Sequence, residues 1–176
     1  MQTSLLISGS PRKGNTEFIL RSISEQFIGN KELLLLREKN IKRCCGCLSC
    51  EKSKKCVQQD DIQQVFEKMK QADVLVLGSP NYFYNVSGLM KDLIDRTNSL
   101  YKTNVFKGKK VFLVAVSGGQ VKNSQGVIEA FSSFAKIHGL KIIGSHCFQF
   151  FYANDAEKNL RIAKSIKEIA GKLNSL

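Results

Sequence analysis

Five of the six cysteines lie between Cys44 and Cys56. With Cys45 set aside, Cys44, Cys47, Cys50 and Cys56 read C-x2-C-x2-C-x5-C. Iron–sulfur clusters take four thiolates, and bacterial cluster-binding runs open C-x2-C-x2-C. Structural zinc more often uses two pairs separated by a longer stretch. Here all four thiols fall in one loop, which favours iron. Lys42, Arg43, Lys52, Lys54 and Lys55 are opposed only by Glu51. Positive neighbours stabilise thiolates and offset the negative charge of a tetrathiolate cluster. Three states stay open for these residues: a [4Fe–4S] cluster, thiols without a cluster, and zinc. The same basic loop would also serve as an ordinary solvated surface or as a docking face for an acidic electron donor. Cys147 stands apart and reads as a small buried hydrophobe.

A second constellation begins at Ser8-Gly9-Ser10-Pro11-Arg12-Lys13-Gly14-Asn15-Thr16, between a strand pattern and a helix pattern. Free amides at a helix start, with the positive end of its dipole, make an anion site. Ser10, Asn15 and Thr16 add donors, and Arg12 can fork onto phosphate oxygens. The run is neither the dinucleotide fingerprint nor the Walker loop. An ordinary turn capped by Asn15 or Thr16 is the plain alternative. Gly78-Ser79-Pro80-Asn81-Tyr82-Phe83-Tyr84-Asn85-Val86-Ser87-Gly88 follows a later strand, with three aromatics in a row and no acid. Ser117-Gly118-Gly119-Gln120 follows another, where paired glycines let backbone approach a flat ligand closely. In open α/β sheets, ligands bind beyond the carboxyl ends of the strands. Phosphate grip, aromatic surface and bare amides together suit a flat ring on a phosphate tail, such as FMN.

These segments need elements to position them. Apolar runs at Ser4–Ser8, Leu33–Leu36, Val74–Leu77, Val111–Val116 and Lys141–Gly144 lack alternation, as expected of strands covered on both faces. Helical stripes lie between and after them: Phe18, Ile19, Ile23 and Phe27; Ile62, Val65, Phe66 and Met69; Leu89, Met90, Leu93 and Ile94. Val127, Ile128, Phe131, Phe134 and Ala135 form a fourth, and Ile162, Ile166, Ile169 and Leu173 a fifth. Asp60 and Asp61 complement the start of the second helix. Five strands interleaved with five helices predict a doubly wound α/β domain with right-handed crossovers over residues 1–176. One irregular stretch, about 38–59, interrupts it. A loop that long in a compact domain is usually functional or disordered.

The chain has 176 residues, 43% of them hydrophobic, and only two prolines. That composition excludes a disordered, collagen-like or low-complexity chain. No apolar run approaches the roughly 18 residues of a membrane span. Met1-Gln2-Thr3-Ser4 lacks the features of a signal peptide, so a cytoplasmic protein is expected. Lys and Arg number 27 against 15 Asp and Glu, a formal charge of +12, which favours anionic partners. The basic residues are scattered and not interleaved with stacking aromatics, so no nucleic-acid module is expected. His138 and His146 read as structural, and no catalytic side chain is assigned. Lys91, Asp95 and Arg96 read as a solvated helix face with weak ion pairs, with Asp95 and Arg96 available to an interface.

In order along the whole chain, GSPRKGNT, GSPNYFYNVSGLMKDLIDR and SGG resemble the NAD(P)H-dependent FMN reductase branch of the flavodoxin-like superfamily. The compact cysteine run resembles that of the iron–sulfur flavoproteins. The resemblance implies a five-stranded parallel sheet in order 2-1-3-4-5 with helices on both faces. It implies FMN phosphate binding by Ser10, Arg12, Asn15 and Thr16. It implies a ring lined by Pro80, Asn81, Tyr82, Phe83, Tyr84 and Asn85, with backbone from Ser117, Gly118 and Gly119. A [4Fe–4S] cluster would sit on Cys44, Cys47, Cys50 and Cys56. The implied activity is an oxidoreductase that moves electrons from NAD(P)H through FMN to a small-molecule or protein acceptor. The alternative is an electron carrier between proteins, accepting from a ferredoxin-like donor without NAD(P)H. A homodimer or homotetramer is implied, with Tyr82-Phe83-Tyr84 available to its interface. The acid-free ring loop favours two-electron acceptance.

Overall fold

The computed structural model describes residues 1–176. Strands β1 (Thr3–Ser8), β2 (Asn30–Leu35), β3 (Val74–Pro80), β4 (Lys110–Ser117) and β5 (Lys141–Gln149) form one sheet in order β2-β1-β3-β4-β5. Every neighbouring pair is parallel. Helices α1 (Asn15–Gln26), α3 (Ile62–Gln71), α4 (Gly88–Arg96), α5 (Gln125–His138) and α7 (Ile162–Asn174) carry the five expected stripes. Two short helices, α2 (Cys50–Ser53) and α6 (Asp155–Lys158), join them.

Alternate strand residues feed two separate cores, which is why the strands are apolar without alternation. Leu5, Ile7, Leu75, Leu77, Leu113 and Ala115 pack with the stripes of α3, α4 and α5. Leu6, Val74, Val76, Val114 and Val116 pack with Ile19, Leu20 and Ile23 of α1 and with Ile162, Ile166, Ile169 and Leu173 of α7. The expected sheet order and both helical layers are therefore present.

The two edge strands differ from the sequence expectation. β2 starts at exposed Asn30, Lys31 and Glu32, before its apolar run, because an edge strand leaves that end uncovered. β5 continues five residues past Gly144 to Gln149. A bulge at Ile143 shifts its register, since Val111 pairs with Ile142 and Phe112 with Gly144. The continuation carries His146 and Cys147, which interrupt any apolar run. Cys147 is half-buried against the core, and burial pushes its thiol upward.

Arg96 is not on a solvated face. Its side chain and that of Asp60 are both 0% exposed. Arg96 Nη1 donates to Asp60 Oδ2 at 2.6 Å, and Nη2 donates to Asp60 Oδ1 at 3.1 Å. Nη1 also donates to the Lys42 carbonyl at 2.6 Å. Asp60 in turn accepts from the amides of Lys42 and Ile62, at 2.9 and 3.1 Å. The long loop is thus pinned on both sides of its cysteines to the last residue of α4. Lys91 and Asp95 do form the expected exposed pair.

Burial opposes ionisation of Asp60. The hydrogen bonds and charge of Arg96, with those two amides, outweigh it and hold the carboxyl below its ordinary range. Breaking one partner of a buried pair costs about 3–5 kcal/mol, whereas an exposed pair contributes at most about 1 kcal/mol. Asp60→Asn should therefore lower the unfolding free energy in urea by several-fold more than Lys91→Ala. Because the folded carboxyl titrates below the unfolded value of about 3.9, its stabilisation is complete above that pH and is lost as pH falls through the folded value. Acid unfolding curves should show that Asp60→Asn has lost part of the wild-type pH dependence.

Candidate functional site

Because all five strands run the same way, the loops after β1, β3, β4 and β5 meet at one edge of the sheet. There they enclose a cleft of about 210 Å3. Ser10, Arg12, Asn15 and Thr16 line it from the first loop. Pro80, Asn81 and Tyr82 line it from the second, and Ser117 and Gly118 from the third. Phe83, Tyr84, Asn85 and Gly119 lie outside the lining. The loop after β5 adds Phe150, Phe151, Tyr152 and Ala153, which sequence reasoning missed. The signal is present in the sequence: Phe150-Phe151-Tyr152 is a second aromatic triplet, but the apolar pattern of this strand ends at Gly144.

The phosphate-type loop is built to keep amides open. The N-cap of α1 is Gly14, and no side chain caps the helix. Asn15 does not cap. Its Nδ2 donates to the Tyr152 carbonyl at 2.9 Å, and its Oδ1 accepts from the Ala156 amide at 3.0 Å. It ties the first loop to the β5 loop across the cleft. Ser10 Oγ donates to the Arg12 carbonyl at 2.7 Å and so shapes the turn. Glu17 places a buried negative charge in the first turn of α1. Burial works against its ionisation, but Arg21 and Arg37 prevail and hold it below the ordinary carboxylate range. The two arginines also offset the charge that would otherwise repel an anion at this helix end.

Ser79, Ser87 and Gly9 lock the second loop to the first. Ser87 Oγ caps α4 by accepting from the Met90 amide, and it donates to the Gly9 carbonyl. A Cβ on Gly9 would sit 2.7 Å from that of Met90, so only glycine lets the loops approach this closely. Asn81 Nδ2 donates to Ser117 Oγ at 3.3 Å and to the Asn123 carbonyl at 3.0 Å. Its Oδ1 is buried and has no hydrogen-bond partner. Tyr82 and Asn85 then exchange backbone hydrogen bonds around Phe83 and Tyr84, whose φ values are 49° and 62°. Two left-handed central residues mark a type I′ turn, normally made with Asn and Gly. The turn sits on α5, where a Cβ at Gly126 would lie 1.8 Å from the Tyr84 carbonyl oxygen. Phe83 is left fully exposed.

The cysteine loop forms a second site. Cys44, Cys45, Cys47, Cys50 and Cys56 all line one cavity of about 30 Å3, together with Arg96 and Asn98. Cys44, Cys45 and Cys47 are exposed, while Cys50 and Cys56 are half-buried. Hydrogen bonds from the Ser49 hydroxyl and amide hold the Cys47 thiol below its ordinary range. Asn98 Nδ2 lies 3.4 Å from Cys50 Sγ. No three Cys, His, Asp or Glu side chains are arranged as ligands of a single ion. A cubane spreads its four thiolates over four irons, so convergence on one ion is not what it requires. Helix α4 joins the two sites, starting beside the cleft at Ser87 and ending at Arg96 in the thiol cavity. Its nine residues span about 13 Å.

The remaining predicted residues are structural. His138 is buried, with Nε2 3.0 Å from Thr97 Oγ1, and burial holds it below the ordinary imidazole range. His146 is half-buried beside Phe148, and burial lowers it against the opposing charge of Glu168. No helix is long and apolar enough to cross a membrane.

The chain is similar to several known proteins. The chain is 43% identical over 118 residues to an iron-sulfur flavoprotein of Archaeoglobus fulgidus, a match covering 65% of this chain and 58% of that protein's length. It is 35% identical over 145 residues to an iron-sulfur flavoprotein of Methanocaldococcus jannaschii, covering 80% of this chain and 75% of the relative. Among solved structures, a flavone reductase superposes with a TM-score of 0.76 at 15% identity, covering 98% of this chain and 61% of its own. An apo NADH:FMN oxidoreductase superposes with a TM-score of 0.73 at 15% identity, covering 99% and 89%. The model of the NADPH-dependent FMN reductase family matches residues 3–155. The chain belongs to that family and has a flavodoxin-like fold.

Proposed function

We propose that the cleft binds FMN, that NAD(P)H is the reductant, and that Cys44, Cys47, Cys50 and Cys56 hold a [4Fe–4S] cluster. The lining of the cleft carries the assignment. The uncapped start of α1 and Arg12 offer donors for a phosphate, and Tyr82 with the Ser117–Gly118 backbone offers a surface for a flat ring. A flat ring on a phosphate tail satisfies both. When bound, FMN supplies hydride acceptance and onward electron transfer.

The chain's own residues bind and orient. The first-turn amides of α1, Arg12 and the Thr16 hydroxyl receive the phosphate, on a turn that the Ser10 hydroxyl shapes through the Arg12 carbonyl. Tyr82 and the Ser117–Gly118 backbone flank the ring. Phe150 to Tyr152 close the β5 side and exclude water, held there by Asn15. Phe83, Tyr84, Asn85 and Gly119 act by shaping the rim. Exposed Phe83 and Tyr84 fit a homodimer or homotetramer in which a partner covers them.

The donor set fits the cluster: four thiols on one loop at the spacing such clusters use, around a shared cavity, with cationic neighbours. When bound, the cluster supplies one-electron storage. Cys45 lies outside the ligand set. A second reading, an electron carrier between proteins, is favoured by the exposed basic loop that holds these thiols.

Anaerobic purification should give about one FMN, four irons and four sulfides per chain. Protein that takes up no FMN after reconstitution would overturn the cleft assignment, and FMN without iron would overturn the cluster. Anaerobic mixing with NADPH or NADH should bleach the flavin rapidly, whereas bleaching only by reduced ferredoxin would establish the carrier. A hydrogen bond from a charged group contributes about 1.5–3 kcal/mol, and 1.4 kcal/mol is tenfold in affinity. Arg12→Ala should therefore raise the FMN dissociation constant at least tenfold in a fluorescence titration.

A further inference from the structure

We propose that Arg96 and Asn98 are donors to the cluster's cysteine sulfurs and set its reduction potential. The inference rests on the cluster reading above and adds residues outside the ligand set. Both lie on one short segment, at the end of α4 and in the turn Thr97–Leu100 that continues it.

Arg96 has one nitrogen to spare. Its Nη1 and Nη2 are taken by Asp60 and the Lys42 carbonyl. Its Nε is buried and has no partner, although the residue lines the thiol cavity. Leaving a donor buried and unpaired is costly. A thiol in that cavity is a weak acceptor and a cluster-bound thiolate a strong one, so the cost disappears when the cluster is in place. The pairing with Asp60 keeps the guanidinium's net field small, so its effect is that of a directed N–H. Asn98 supplies the second donor, with Nδ2 already 3.4 Å from Cys50 Sγ. Neither group offers an acceptor or a negative charge at this point.

One-electron reduction adds one negative charge to the cluster, shared in part by the cysteine sulfurs. Hydrogen bonds to those sulfurs therefore stabilise the reduced form more than the oxidised one and raise the potential. Arg96 also anchors the loop, so its removal would confound structure with tuning. Asn98 is exposed, and its only side-chain hydrogen bond is the one to Cys50 Sγ, so it is the cleaner probe.

The test is an anaerobic redox titration of the full protein, followed by the spectroscopic signal of the reduced cluster. Asn98→Ala should shift the reduction equilibrium about tenfold toward the oxidised form, about 59 mV lower for one electron. Asn98→Asp, which puts an acceptor and a negative charge in the same place, should shift it further the same way. Iron and sulfide content should be unchanged in both. Unaltered potentials with a full cluster would overturn the proposal while the cluster stands. Iron loss in the variants alone would make Asn98 a ligand-positioning residue and overturn the tuning role. A wild-type protein without iron would overturn the cluster reading itself, and this inference with it.

Discussion

Parallel pairing of β1 with β3, and of β3 with β4, is the constraint from which the functional geometry follows. A parallel sheet sends every carboxyl end to one edge and every crossover helix back across a face. Three loops that are far apart in sequence then share a rim. Their spacing is fixed by the contacts of a few small groups, since Ser79, Ser87 and Gly9 lie directly against one another. Had any central strand been reversed, its loop would open at the far edge, and no local sequence feature would restore the cleft.

The second dependence runs along α4. One end of this helix is capped by Ser87 at the cleft, and the other presents Arg96 to Asp60 and Lys42 at the base of the cysteine loop. A buried ion pair is weak evidence of extra stability, because desolvation consumes most of its Coulomb attraction. Its role here is registration. Nine residues of helix separate the end beside the cleft from the end at the thiols. Three of the thiols, Cys44, Cys45 and Cys47, remain at the surface, while the cleft at the other end of α4 is enclosed by four loops.

Much of this was legible in the sequence, for identifiable reasons. Val74–Leu77 and Val111–Val116 are apolar on both sides, so they could only be central strands. The stripes of Ile62, Val65, Phe66 and Met69, and of Ile162, Ile166, Ile169 and Leu173, have no other use than a buried helix face. The glycine- and serine-rich turns marked the strand ends that border the cleft. What was not legible depends on long-range contacts. Arg96 carries no local sign that it is buried, because its partner lies 36 residues earlier in the chain. The extension of β5 past Gly144 is hidden by a bulge and by His146. The role of Asn15 as a tie to Tyr152 and Ala156 requires knowing where a segment about 140 residues away returns.

The position of Arg96 in the chain also orders assembly. The cysteine loop lies inside the stretch between β1 and β3, whose first contact, Thr3 with Asp73, spans 70 residues. Closing that stretch carries a loop entropy that the thiols do nothing to offset, and the side chain that fastens the loop is encoded downstream of β3. During synthesis, therefore, the cysteines emerge first and their anchor last. The contacts that fasten both sides of the loop to Arg96 cannot form until α4 has been synthesised.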